Sequence, residues 1–338
     1  MVNRIKRMTK KIFIFIAAIF IIVSCKQKNQ QNTDNQSEKE VFKKVEIPVF
    51  NADSAYYFTE KQLSFGPRVP NTKAHEQCAT YLANFFKRFS KDVIIQEFQS
   101  NAWNGELLKG KNIIASFNPE SNNRIFFAAH WDSRPYADYD PDSKNHRKPI
   151  PGANDGAAGV GILMELARLF STQAPKAGVD LVLFDLEDYG EPKGESSQIE
   201  DAWCLGSQYW AKNSHKPAYM AKYGILLDMV AAKNAVFTME NTSMYYAPNI
   251  MKMVWDIAAN LGYGSYFSTE KTGGLIDDHL YINKIAKIPT IDIVHHDPTT
   301  VSGFFPYWHT MKDDMSNIDK STMTVVANTI LTVAFMEE

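Results

Sequence analysis

The chain has 338 residues, 45% of them hydrophobic, with 36 Lys+Arg against 38 Asp+Glu for a formal net charge of −2. That length and apolar content allow a large core in a single domain. The absence of a basic excess argues against nucleic acid as a partner.

Residues 2–11, VNRIKRMTKK, carry basic side chains and no acid, and residues 12–23 form an unbroken apolar run. This is a signal-peptide pattern, with an apolar run too short to span a bilayer comfortably. The run ends in IVSC, small residues before Cys25, which resembles the lipobox of bacterial lipoproteins. In those proteins the cysteine is lipidated and becomes the mature N-terminus. An uncleaved anchor is the alternative; either reading exports the chain and tethers it to a membrane. The expected division is a signal peptide over 1–24, lipidated Cys25 with a polar tether over 25–45, and a catalytic domain over 46–338. The expected location is a membrane-anchored lipoprotein facing the periplasm of a Gram-negative bacterium. Without residues 1–24 the chain keeps 31 basic and 38 acidic residues, a net charge of about −7.

Cys78 shares an apolar helical stripe with Leu82, Phe85, Phe86 and Phe89, the pattern of a buried thiol. Export permits a Cys78–Cys204 disulfide, and two cysteines alone do not establish one. From residue 92 the pattern alternates. DVIIQEF and KNIIASF read as neighbouring antiparallel strands, and RIFFAAHWD as a third. Residues 156–173 have helical apolar spacing, VDLVLFDLED is a nearly continuous buried strand, and a helix follows near GSQYWAKNS. The strand YGILLDMVA, the helix NIMKMVWDIAANLG, the strand IPTIDIVHH and a helix from Ser321 complete the chain. The alternation predicts an α/β domain with a mixed, mostly parallel central sheet flanked by helices.

In such sheets, sites gather beyond the carboxyl ends of the strands. Those ends carry His130 and Asp132, then Asp185, Glu187 and Asp188, then Asp228, then Asp292, His295 and His296. Histidine and carboxylate together are zinc ligands. His130, Asp155, Asp188, Asp228 and His309 form the candidate set, though Asp155 alone would serve equally as a helix cap. The adjacent pair Glu187–Asp188 suits a division of labour, with one carboxylate on a metal and the other free to move protons. GAAGVG is not a dinucleotide fingerprint, and no G-x-S-x-G elbow occurs. Asp138, Asp140 and Asp142 alternate like a calcium loop, but Ser143 and Pro149 break that motif, leaving a solvated loop as the expectation.

Taken in order, HWDS, GANDGAAGV, LFDLED, LLDMV, DDHLYI and WHTMKDD resemble the zinc aminopeptidase and glutaminyl cyclase superfamily over residues 50–338. In its dinuclear aminopeptidases, the resemblance implies one metal on His130 and Asp228, a second on Asp188 and His309, with Asp155 bridging and Glu187 as general base. In its cyclases it implies one Zn²⁺ on Asp155, Asp188 and His309, with a second ion not excluded. Cyclases convert an N-terminal glutamine to pyroglutamate with release of ammonia, and Asp277 would assist Glu187 in moving the proton. Trp308 before His309 resembles the cyclases, with Phe304, Trp203 and Asp228 as further substrate contacts. Asp188 is shorter than the glutamate common at that position, Asp292 stands where animal cyclases have histidine, and Ile276 where they have glutamine. The expected function is a zinc-dependent glutaminyl-peptide cyclotransferase acting on peptides and proteins with N-terminal glutamine. A monomer held at the membrane through Cys25 is expected, with a dinuclear aminopeptidase as the alternative.

Overall fold

The structure, a computed structural model, describes residues 45–337. The signal peptide, Cys25 and all but the last residue of the tether lie outside the described residues. Two helices, α1 (Ala52–Leu63) and α2 (Lys73–Lys87), precede three strands, β1 (Asp92–Asn101), β2 (Leu107–Phe117) and β3 (Arg124–His130). Then come α3 (Ala158–Phe170), β4 (Gly178–Phe184), α4 (Leu205–Lys212) and β5 (Gly224–Asp228). The last third holds β6 (Phe237–Glu240), α5 (Asn241–Tyr246), α6 (Pro248–Asn260), β7 (Phe267–Thr272), α7 (Asp278–Tyr281), β8 (Thr290–Val294) and α8 (Lys320–Met336).

Six strands form the central sheet in the order β1-β2-β4-β3-β5-β8. The β1–β2 and β2–β4 pairs are antiparallel, while β4–β3, β3–β5 and β5–β8 are parallel. The continuous apolar runs have a direct cause: every residue of β3 and β4 is buried. Alternate side chains serve opposite faces. Ile125, Phe127 and Ala129 pack into the larger cluster with α1, α3, α6 and α8, whereas Phe126 and Ala128 meet Trp210 of α4 and Ile282. The larger cluster needs close contact between helix and sheet. Gly159 supplies it, since a Cβ there would lie 2.6 Å from the Leu227 carbonyl oxygen.

The predicted architecture matches, including the antiparallel pairing of β1 with β2. Helices α1, α5 and α7 were not anticipated, nor were two further features. β6 and β7 form a separate two-stranded parallel sheet. The helix expected from residue 156 begins instead at Ala158, after an irregular turn over Ala153–Ala157. Cys78 and Cys204 are both buried free thiols, so no disulfide joins them. Among the described residues no helix is long and apolar enough to cross a membrane.

Candidate metal centre and active site

The carboxyl edge of the parallel strands collects the predicted residues. His130 ends β3, Glu187 and Asp188 lie just beyond β4, and Asp228 ends β5. Asp155 sits in the turn before α3 with φ −100 and ψ 85, and no side chain caps that helix, so the capping role does not apply. Asp277 caps α7, and His309 lies in the loop before α8 with φ 53, a left-handed conformation uncommon for a non-glycine residue.

Two groups of potential ligands meet there, Asp155 with Asp188 and His309, and Asp155 with His130 and Asp228. His309 Nε2 lies 3.3 Å from Asp188 Oδ1 and 3.6 Å from Asp155 Oδ2. His130 Nε2 lies 3.1 Å from Asp155 Oδ1 and 3.2 Å from Asp228 Oδ1. Nitrogen and oxygen ligands of a tetrahedral Zn²⁺ sit about 2.0–2.1 Å from the ion, and therefore about 3.3 Å from one another. Both groups match that spacing. Asp155 Oδ2, Asp188 Oδ2 and Asp228 Oδ1 are buried without hydrogen-bond partners, as are both nitrogens of His130. Buried polar atoms left unpaired are costly, so a donor set of this kind fits a bound cation. Burial pushes the Asp188 carboxyl up, and raises Asp228 to about 7. Burial acts likewise on Asp155, but the imidazoles of His130 and His309 and the Arg134 guanidinium outweigh it and hold that carboxyl low.

Buried carboxylates fix the ligand loops. Asp132 accepts hydrogen bonds from the backbone N–H of Glu187 (3.1 Å) and of Asp188 (3.2 Å). Asp313 accepts in the same way from Asn154 (2.8 Å) and Asp155 (3.2 Å). Gly156 makes room for the His130 ring, since a Cβ there would fall 2.4 Å from Nε2. The loop around Asp138 corrects an expectation in part: residues 141–144, 147 and 148 are exposed, but its first turn is not. Asp138 and Asp140 are buried; Asp138 receives two hydrogen bonds from Arg134 and faces His309 Nδ1, and Asp140 accepts from the Met311 N–H. Arg134 also donates to Asp188 Oδ1 and lies over the Trp203 ring. Alternating acids followed by Lys and Arg look like surface decoration, so neither Asp138 nor Arg134 stood out in the sequence.

Glu187 belongs to neither of these two groups and lies instead with Cys204 and Asp277. Its Oε1 accepts a hydrogen bond from the Cys204 thiol at 3.2 Å, and its Oε2 lies 4.0 Å from His130 Nδ1. Burial holds its carboxyl well above the usual range, opposed by His130 and reinforced by Asp188, Asp277 and Asp278. Cys204 was read only as a possible disulfide partner, and its contact with Glu187 has no signature in sequence spacing.

A cavity of about 330 Å³ opens over this floor. Nine of the ten residues expected to bind substrate, metal or proton there line it: Glu187 and Asp277, Asp155, Asp188 and His309, and Trp203, Phe304, Trp308 and Asp228. His130 lies beneath. Trp308 stacks on the His309 ring at 3.6 Å between centroids, Trp203 lies parallel to it at 6.4 Å, and Phe304 packs against Trp308 at 4.9 Å. The mouth carries Ile276, 66% exposed.

The profile of peptidase family M28 matches residues 112–334. A solved glutaminyl cyclase from Tannerella forsythia is 52% identical, with 86% of this chain and all of that chain covered at a TM-score of 0.84. A solved leucine aminopeptidase precursor from Bacteroides thetaiotaomicron is 50% identical, with 87% and 100% covered at the same TM-score of 0.84. A glutaminyl-peptide cyclotransferase from the snake Gloydius blomhoffii is 29% identical over 238 residues, which span 63% of this chain and 61% of that relative. The chain belongs to peptidase family M28, in the company of bacterial glutaminyl cyclases.

Proposed function

We propose that the chain is a zinc-dependent glutaminyl-peptide cyclotransferase that converts the N-terminal glutamine of peptides and proteins to pyroglutamate. One combination carries this reading: a three-residue zinc set and an unliganded buried carboxylate share a cavity walled by aromatic rings. Relatives named for that activity support it. Asp155, Asp188 and His309 would hold the ion. Zn²⁺ bound there supplies a Lewis acid for the γ-carbonyl of the glutamine side chain.

The protein's own groups account for the rest. Glu187 takes a proton from the α-amine as that nitrogen bonds to the side-chain amide carbon. The carbon–nitrogen bond of the amide breaks, Glu187 returns a proton to the departing nitrogen, and ammonia leaves. Asp277, beside Glu187, raises the basicity of that carboxylate by like-charge repulsion. Amine and amide belong to one residue, so holding the side chain folded back on the amine does much of the work. Trp203, Phe304 and Trp308 keep water, the competing nucleophile, off the amide carbon.

A dinuclear aminopeptidase is the second reading, favoured by the complete His130, Asp155 and Asp228 set. The test is to incubate the domain lacking residues 1–24 with glutamine-initiated and leucine-initiated peptides and weigh the products. Loss of ammonia from the first alone, abolished by a chelator, supports the cyclase. Removal of a whole first residue from either peptide supports hydrolysis. We also infer export and attachment through lipidated Cys25, with the domain in the periplasm. Cys25→Ser should abolish incorporation of labelled fatty acid into the protein, and continued labelling would remove lipidation at Cys25.

A further inference from the structure

A second cavity, of about 130 Å³, adjoins the catalytic one and shares Gly274, Leu275, Val294 and Phe304 with it. Thr238, Thr272, His295 and Glu240 line it, brought together by β6, by β7 and by the end of β8. None of them has a part in the chemistry described above. The hydroxyls of Thr238 and Thr272 lie 2.8 Å apart and share a hydrogen bond. His295 is 4% exposed, and its Nδ1 has no partner. Burial lowers its pKa to about 4, so the ring is neutral and carries one donor and one acceptor. Burial would raise Glu240, but its contact with His279 outweighs this and holds the carboxyl below its ordinary range, so it stays charged.

We propose that this side cavity receives the side chain of the residue following the N-terminal glutamine, favouring short uncharged hydrogen-bonding side chains over acidic or large aromatic ones. The inference rests on the cyclase reading of the main pocket. Consecutive Cα atoms are about 3.8 Å apart, so a second residue remains within reach of a cavity that shares four wall residues with the site holding the first. The unpaired imidazole nitrogen and the threonine hydroxyls reward a side chain that can pair with them. Glu240 repels a second carboxylate, and the small volume refuses an indole.

The test compares kcat/KM for peptides beginning Gln-Asn, Gln-Ser, Gln-Glu and Gln-Trp, with glutamine amide as the substrate that has no second residue. Wild type should prefer Gln-Asn and Gln-Ser to Gln-Glu and Gln-Trp by about tenfold, the equivalent of one well-made hydrogen bond. Thr272→Val keeps the branched strand side chain and removes the hydroxyl; Thr272→Leu fills the cavity. Both should lower kcat/KM for Gln-Asn towards that for Gln-Glu and leave glutamine amide unchanged. A flat wild-type profile overturns the proposal without any variant, as does a profile that Thr272→Leu leaves intact. If glutamine amide itself yields no pyroglutamate, the cyclase reading fails and the subsite falls with it. If glutamine amide reacts and only the second-residue profile is flat, the subsite alone is wrong.

Discussion

Asp138 Oδ1 lies 3.4 Å from Nδ1 of His309, on the side of the ring opposite the nitrogen that faces Asp155 and Asp188. A carboxylate there fixes the tautomer, so that Nε2 keeps its lone pair for a metal. Arg134 holds that carboxylate in place through two hydrogen bonds, and together with His309 keeps its pKa low against the upward pull of burial. Asp138→Asn should therefore weaken zinc binding by about 10–100-fold while the fold persists. Competition with a chromophoric chelator measures this. Unchanged affinity would mean that the ring is oriented by its stacking on Trp308 alone.

Glu187→Gln keeps the size of the side chain and removes its ability to take up a proton. Turnover should fall by about 10²–10⁴-fold, the usual contribution of a general acid–base group. Zinc content should stay at the wild-type level, since Glu187 is outside both ligand groups. Parallel metal analysis and initial rates check both halves, and wild-type turnover in this variant would remove Glu187 from the mechanism.

Asp155 is common to both ligand groups, whereas His130 and Asp228 belong to one. Asp155→Ala should abolish zinc binding altogether. His130→Ala should leave one ion per chain held by Asp155, Asp188 and His309. Elemental analysis after dialysis gives the stoichiometry directly, and retention of metal by Asp155→Ala would contradict the shared-ligand geometry. Zinc should also stabilise the fold, by about 2.7 kcal/mol at a concentration 100 times Kd. Melting curves with and without a chelator report that shift.

Gly156→Ala would put a Cβ 2.4 Å from both Nε2 and the carbonyl oxygen of His130. Neither atom is the end of a flexible side chain, so the turn or β3 must move. Overpacking of this kind costs about 1–3 kcal/mol. Urea denaturation should show the loss, and metal affinity should fall with it because Asp155 is the preceding residue. A variant as stable as wild type would show that the turn can relax.

Much of the site was legible because its residues interrupt or terminate apolar runs. His130, Asp228 and the Glu187–Asp188 pair stand where a buried strand reaches the edge of the sheet, and a charged residue there needs a reason. Asp155 was ambiguous in isolation, since a turn before a helix welcomes aspartate for capping. Only the position of its oxygens between two histidines decides its role. Asp138 was misread because the burial of a charged loop depends on partners far away in sequence, here His309 on a loop that closes over it. The β6–β7 sheet escaped notice because FTME and FSTEKT are short and β7 is mostly exposed, so neither has the alternation or the unbroken apolar run that marks a strand.

Asp132 and Asp313 each grip two successive backbone N–H groups, one beneath Glu187 and Asp188, the other beneath Asn154 and Asp155. Such a grip locks a peptide segment against rotation as well as displacement. Glu187 and Asp188 thus move as one piece, and the turns that carry Asp155 and Asp188 are each pinned to a buried carboxylate from another segment. Freedom to adapt to different peptides is left to the rim, where Ile276, Phe304 and Trp308 have no comparable restraint. Across relatives built on this frame, exchanges at those three rim positions would retune which chains are admitted, while the reacting atoms below keep their alignment.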